Sequence, residues 1–182
     1  MRRLYRLLAA GVAVGLVAGC GGHHFQPPGD APEAWQEAMR EEAPGGWAVW
    51  GYGKGAATES LAAGRSRAAS KARSALAERI DARSGHLREG LNERLVGDGS
   101  KELEKTDIRA VVKRAGEIAV NRAEVERRER DADGNWHVLI RTHLRPPLSE
   151  AAEERGLSST AKERLMGEAE RILQGDSQGK GN

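Results

Sequence analysis

Large apolar side chains are scarce in this chain. Four Trp, two Tyr and one Phe make up the aromatic content of 182 residues, and alanine carries much of the 38% apolar fraction. A core built this way has to rely on close packing of helices, because bulky side chains are too few to fill the space between distant elements. The length suits one small folded domain with accessory segments.

The first twenty residues stand apart. Met1-Arg2-Arg3-Leu4-Tyr5-Arg6 is a positive leader, residues 7–17 are apolar and interrupted only by glycine, and Val17-Ala18-Gly19-Cys20 follows. A charged start, a short apolar run and small residues before a cut describe an export signal; the run is too short for a permanent span. The arrangement resembles a bacterial lipoprotein signal. That resemblance implies a diacylglycerol thioether on Cys20, cleavage between Gly19 and Cys20, and acylation of the new amine, a multi-chain anchor that holds stably. Cys20 is the one cysteine of the chain, so no internal disulfide can form, and lipidation explains a lone cysteine in an exported protein. Gly21 in place of Asp implies, by resemblance to Gram-negative lipoproteins, an outer-membrane destination with the domain facing the periplasm.

Removal of the leader changes the charge. Arg2, Arg3 and Arg6 are three of 29 basic residues, and the 26 that remain face 27 acidic ones. A near-neutral mature chain has no global field for capturing nucleic acid.

Residues 20–31 read as the lipidated cysteine and a Gly/Pro-rich tether. Asp30 and Glu33 are placed to cap a short helix that carries Trp35 and Met39 to Glu42, and Pro44-Gly45-Gly46 stops it. Residues 47–52 have strand composition, and Gly51, Gly53 and Gly55 read as a loop. A long helix is expected from Thr58, with Leu61, Ala68, Ala72, Ala75, Leu76 and Ile80 at helical spacing and a possible break at Ser84-Gly85. A second helix is expected over 101–119. Residues 120–130 and 136–144 form a hairpin around Asp131-Ala132-Asp133-Gly134-Asn135, where Gly can take positive φ. Trp136, Val138, Ile140, Thr142 and Leu144 share one strand face, and Pro146-Pro147 ends the strand. A last amphipathic helix spans about 160–173, in an extension over 148–173, with a polar, disordered tail over 174–182. The expected fold is α+β: a small antiparallel or mixed three-stranded sheet, one N-terminal strand plus a C-terminal hairpin, with helices on one face. Its two open edges make self-association plausible.

Pro32-x-x-Trp35, Trp50-Gly51-Tyr52-Gly53-Lys54-Gly55 before an Ala-rich helix, and the hairpin ending in Val138-Leu139-Ile140-Arg141 resemble the Lpp-twenty (twenty-kilodalton) outer-membrane lipoprotein family over about residues 32–147. The resemblance implies a domain held at the outer membrane in surface or flagellum-associated assemblies, with no catalytic residues. The Arg-rich long helix and the C-terminal helix depart from the family pattern, which puts a flagellar role in doubt.

Candidate chemistry is sparse. Gly51-x-Gly53-x-Gly55 lacks the βαβ setting and the acidic residue of a dinucleotide fingerprint and reads as a tight strand-to-helix turn. Asp131-x-Asp133-Gly134-Asn135 starts like a calcium loop, yet Thr142 stands where the bidentate Glu belongs; it reads as a hairpin turn. His137 and His143, six residues apart on a strand at ~3.3 Å per residue, are roughly 20 Å apart and cannot share an ion. His23 and His24 on the tether could hold a metal weakly, and His86 stands alone. Ser60, Ser66, Ser70 and Ser74 read as small residues packed against the sheet. Trp47, Trp50, Tyr52 and Trp136 read mainly as core anchors. No cofactor or metal is expected.

The long helix is basic through Arg65, Arg67, Lys71, Arg73, Arg79 and Arg83, a solvated face balanced by Glu59, Glu78 and Asp81 or a surface for an anionic partner. Two functions follow as expectations. The first is a non-catalytic, membrane-anchored lipoprotein with a structural or scaffolding role in the cell envelope, self-associating or bound in an envelope complex through the sheet edges and the C-terminal helix. The alternative is capture of an anionic glycan or lipid by Arg65, Arg73 and Arg79. A cell-wall enzyme finds no carboxylate pair, metal cluster or triad in the sequence.

Overall fold

A computed structural model describes residues 27–42, 46–57, 60–96 and 103–178. The proposed signal, Cys20, His23, His24, Thr58, Glu59 and residues 179–182 lie outside the described residues. The chain forms helix α1 (Glu33–Glu42), strand β1 (Ala48–Gly55), helix α2 (Leu61–Leu91) with a π turn over Asn92–Val96, helix α3 (Lys105–Asn121), strands β2 (Glu124–Arg130) and β3 (Trp136–His143), and helices α4 (Arg145–Glu154) and α5 (Ser159–Gln178). The fold is α+β, and its sheet is wholly antiparallel in the order β1-β3-β2.

The expected glycine loop is strand. Gly51, Gly53 and Gly55 pair with Ile140, Val138 and Trp136 of β3, and all three turn the same face towards α2. A Cβ on Gly51 would stand 2.1 Å from the Ala72 carbonyl oxygen, one on Gly53 2.1 Å from that of Ala68, and one on Gly55 2.0 Å from that of Gly64. No residue with a side chain fits there. The glycines therefore serve contact rather than turning, and the helix answers with Gly64, Ala68, Ala72 and Leu76, buried at every fourth position. That i, i+4 row forms a ridge inclined to the helix axis, along which a strand can lie.

Alternate residues of the sheet face the other way. Trp50, Tyr52 and Leu139 close a second, smaller cluster with Ala31, Trp35 and Met39. The short helix α1 thus covers the sheet face opposite α2, so helices lie on both faces rather than one. Val138, Ile140 and Leu144 join the main core beneath α2, α3, α4 and α5.

Helix α2 passes Ser84 and Gly85 without a break, and Ser60 caps it by accepting from the Ala63 amide. Ala68 and Ala72 meet the sheet, whereas Ser66, Ser70 and Ser74 are exposed, contrary to the expected packing of those serines. Strand β3 ends at His143, and Pro146 and Pro147 lie in the first turn of α4 after Arg145, where a missing N–H costs nothing. Helix α5 continues to Gln178, so residues 174–178 are helical rather than part of a tail. Leu165, Ala169, Ile172 and Leu173 bury its apolar side in the main core, so the C-terminal helix belongs to the domain.

Substitution separates the two kinds of glycine. Gly53→Ala drives a methyl into the α2 backbone and is expected to lower unfolding free energy by about 1–3 kcal/mol or more. Gly167→Ala, in α5 with open space at its Cβ position, is expected to raise it by up to about 1 kcal/mol. Urea denaturation of the two variants beside the parent measures both, and equal tolerance would refute the close β1–α2 approach.

Candidate functional site

The most connected polar group lies between the sheet and α1. His137 points to the α1 side of the sheet and is buried, 3% exposed. Its Nδ1 lies 2.8 Å from the Tyr52 hydroxyl, and its Nε2 lies 2.9 Å from Asp131 Oδ2. The Tyr52 hydroxyl also donates to the Asp30 carbonyl oxygen at 2.8 Å. Trp35 stands edge-on to the imidazole, with ring centroids 6.4 Å apart.

The donor inventory of this chain of contacts is restrictive. The Asp30 carbonyl can only accept, so the phenol proton goes to it. An ionised Asp131 can only accept as well. His137 bridges the Tyr52 hydroxyl and the Asp131 carboxyl through its two ring nitrogens.

Asp131 is held by the hairpin turn. Asn135 donates to it from its backbone amide at 2.7 Å and from its side-chain amide at 2.9 Å. The His137 contact, followed by the Asn135 side chain, holds the Asp131 carboxyl well below the usual carboxylate range. Gly134 takes φ 84°, and the Asn135 side chain accepts from the Ala57 amide at 3.2 Å. The turn is therefore full of its own hydrogen bonds. Burial, then the Asp30 carboxylate, pushes the Tyr52 phenol well above its ordinary value. The Tyr52–His137–Asp131 chain is a latch: its hydrogen bonds tie the segment at Asp30 to both β1 and the hairpin.

Arg65 and Arg73 are exposed on α2, eight residues apart, roughly 12 Å along the axis. Arg79 is half-buried, and its Nη1 donates to the Trp50 carbonyl oxygen at 2.9 Å. Burial lowers its pKa. The three arginines do not form one exposed cluster: Arg79 covers the edge of β1. At the opposite edge every residue of β2 is exposed, Glu and Arg dominate, and the pairing register slips between Val125 and Arg127. Charge and irregularity oppose strand addition, so neither edge is a plain pairing template. Trp47, Trp50 and Tyr52 are buried and Trp136 is half-buried, as anchors of the two cores.

Sequence reasoning reached Asp131 and His137 but assigned them to a turn and to a metal question. Tyr52 is 85 residues from His137, and only the β1–β3 register brings them together. The aromatic and polar residue types were visible, but no local spacing linked them. The chain matches no protein-family model, and no curated protein is similar to it.

The latch makes stability depend on acid in a defined direction. Folding lowers the Asp131 pKa from an unfolded value of 3.8, so its contribution is complete above that range and is lost as pH falls through it towards the lower folded value. Urea midpoints measured between about pH 6 and pH 2 should fall more steeply for the parent than for Asp131→Asn; parallel curves would show that the carboxylate is not coupled to folding. Tyr52→Phe should cost about 1–3 kcal/mol at neutral pH, because it strands a buried imidazole nitrogen.

Proposed function

We propose that the chain is a non-catalytic, membrane-anchored lipoprotein with a structural or scaffolding role in the bacterial cell envelope, acting through self-association or a protein partner. The observation that carries this reading is the charged leader, the short apolar run and the small residues ending at Cys20. Among the described residues no helix is long and apolar enough to cross a membrane, and on this reading acyl chains on Cys20 supply the attachment. The resemblance to the Lpp-twenty family supports an outer-membrane position with the domain in the periplasm. The latch supports the same reading in another way: its histidine, tyrosine and carboxylate are engaged with one another and with the backbone, and they join the tether to the domain.

A second reading keeps the anionic glycan or lipid. Exposed Arg65 and Arg73, with Lys71 beside them, favour it, and the engagement of Arg79 with Trp50 reduces the cluster it needs.

Cys20→Ala is expected to move the full chain from the membrane fraction to the soluble fraction and to abolish incorporation of labelled palmitate. Retention of the variant in the membrane, or no label in the parent, would refute the anchor. Binding of the parent to anionic lipid vesicles that fades with salt and disappears in Arg65→Glu/Arg73→Glu would favour the second reading.

A further inference from the structure

The sheet separates the charges of a chain that is nearly neutral as a whole. Residues directly opposite each other on paired strands share a face. In β2, Arg128 and Arg130 stand opposite Val138 and Trp136, which pack into the core beneath α2. Glu124 and Glu129 stand opposite Arg141 and His137 on the α1 face, and Glu126 pairs with Arg141 there. Arg127, opposite Leu139, is the cation of β2 on that side. Helix α1 adds exposed Glu33 and Glu37, with Arg40 between turns. One face is therefore basic and the other mainly acidic.

Helix α2 carries the basic side further. Between Leu61 and Ala77 it has four cations, Arg65, Arg67, Lys71 and Arg73, and no carboxylate. All four are exposed, and among the described residues no ion pair engages Arg65, Lys71 or Arg73. Gly64, Ala68, Ala72 and Leu76 turn to the sheet. The opposite row is Ala62, Ser66, Ser70 and Ser74, all exposed. At 3.6 residues per turn, Arg65 and Arg73 flank this row on one side, and Arg67 and Lys71 on the other. A low ridge of small residues between two rows of long cationic side chains can lie close to a flat surface while the charged ends reach it.

The described chain enters the domain at the end where this face begins. Asp30 is held at Tyr52 of β1, and β1 ends at Gly55, against Gly64 in the first turn of α2. Residues 21–26 separate Cys20 from Pro27, the first described residue, a reach of about 25 Å at most. Resting on the Cys20 anchor, we infer that the α2 face over residues 61–77 is a second membrane contact. It lies on the anionic headgroups of the bilayer that holds the anchor, with Arg65, Arg67, Lys71 and Arg73 against lipid phosphates and the acidic α1 side turned away. The anchor raises the effective concentration of this face at the surface, so a few cations hold the domain down. The second reading of function thereby takes the bilayer itself, and not a glycan, as its ligand.

The test uses the full chain reconstituted through its lipid into vesicles of phosphatidylcholine, or of phosphatidylcholine with about one-third phosphatidylglycerol. An acylated Cys20 has no thiol, so Ser70→Cys on α2 or Ala34→Cys on α1, both exposed positions, supplies the reactive one. Ser70→Cys should react with an impermeant maleimide about tenfold more slowly on the anionic vesicles than on the neutral ones. Ala34→Cys should react equally on both. Salt at about 0.5 M, or Arg65→Glu/Arg73→Glu, should restore the Ser70→Cys rate while the chain stays on the vesicles. Equal Ser70→Cys rates on the two lipids, or equal shielding of Ala34→Cys, would overturn the inference. So would shielding of Ser70→Cys by added polygalacturonate but not by phosphatidylglycerol, which would assign the face to a glycan. Failure of the parent to float with neutral vesicles would refute the anchor, whereas a chain that floats with them and leaves Ser70→Cys open on anionic lipid would refute only the face.

Discussion

The close approach of β1 to α2 sets the rest of the domain. Three glycines on one strand face lie so near the carbonyls of Gly64, Ala68 and Ala72 that a methyl group would collide at about 2 Å. A strand and a helix in backbone contact need few large side chains to exclude water between them, which suits a chain so short of aromatics. The contact also fixes the position of β3, because β3 pairs with β1 over eight residues, and through β3 the position of the hairpin. The remaining large apolar residues are then free to cover the flanks: Leu76, Leu87 and Leu91 with α3 and α5, and Trp35, Met39 and Trp50 beneath α1.

Helices on both sheet faces have consequences for the surface. The face covered by α1 holds the Tyr52–His137–Asp131 network, which reaches the segment at Asp30. The Tyr52–Asp30 bond secures that segment to the sheet. The opposite side ends in α2, α3, α4 and α5. Ion pairs Arg114–Glu154, Arg122–Glu150 and Arg155–Asp107 fasten α4 to α3. Each is exposed and worth at most about 1 kcal/mol, so apolar burial of Leu148, Ala151 and Ala152 carries that contact.

Both sheet edges are protected, by the Arg79 side chain at β1 and by charge and a register slip at β2. Association through the sheet was a reasonable expectation from an open three-stranded sheet, and these features argue against it on physical grounds.

Periodicity and composition determined much of this protein without coordinates. The order of the main elements, the alternating face of β3 and the apolar stripes of α3 and α5 are written in local patterns, because period and turn chemistry act over a few residues. Three features were decided only by tertiary structure. The glycines of β1 read as a turn until a helix backbone was placed against them. The Tyr52–His137–Asp131 latch depends on a strand register joining distant residues. The availability of each arginine on α2 depends on which side of the helix meets the sheet, which turns Arg79 inward and leaves Arg65 and Arg73 in water. In each case the same residue type serves two opposite roles, and only the packing partner, far away in sequence, selects between them.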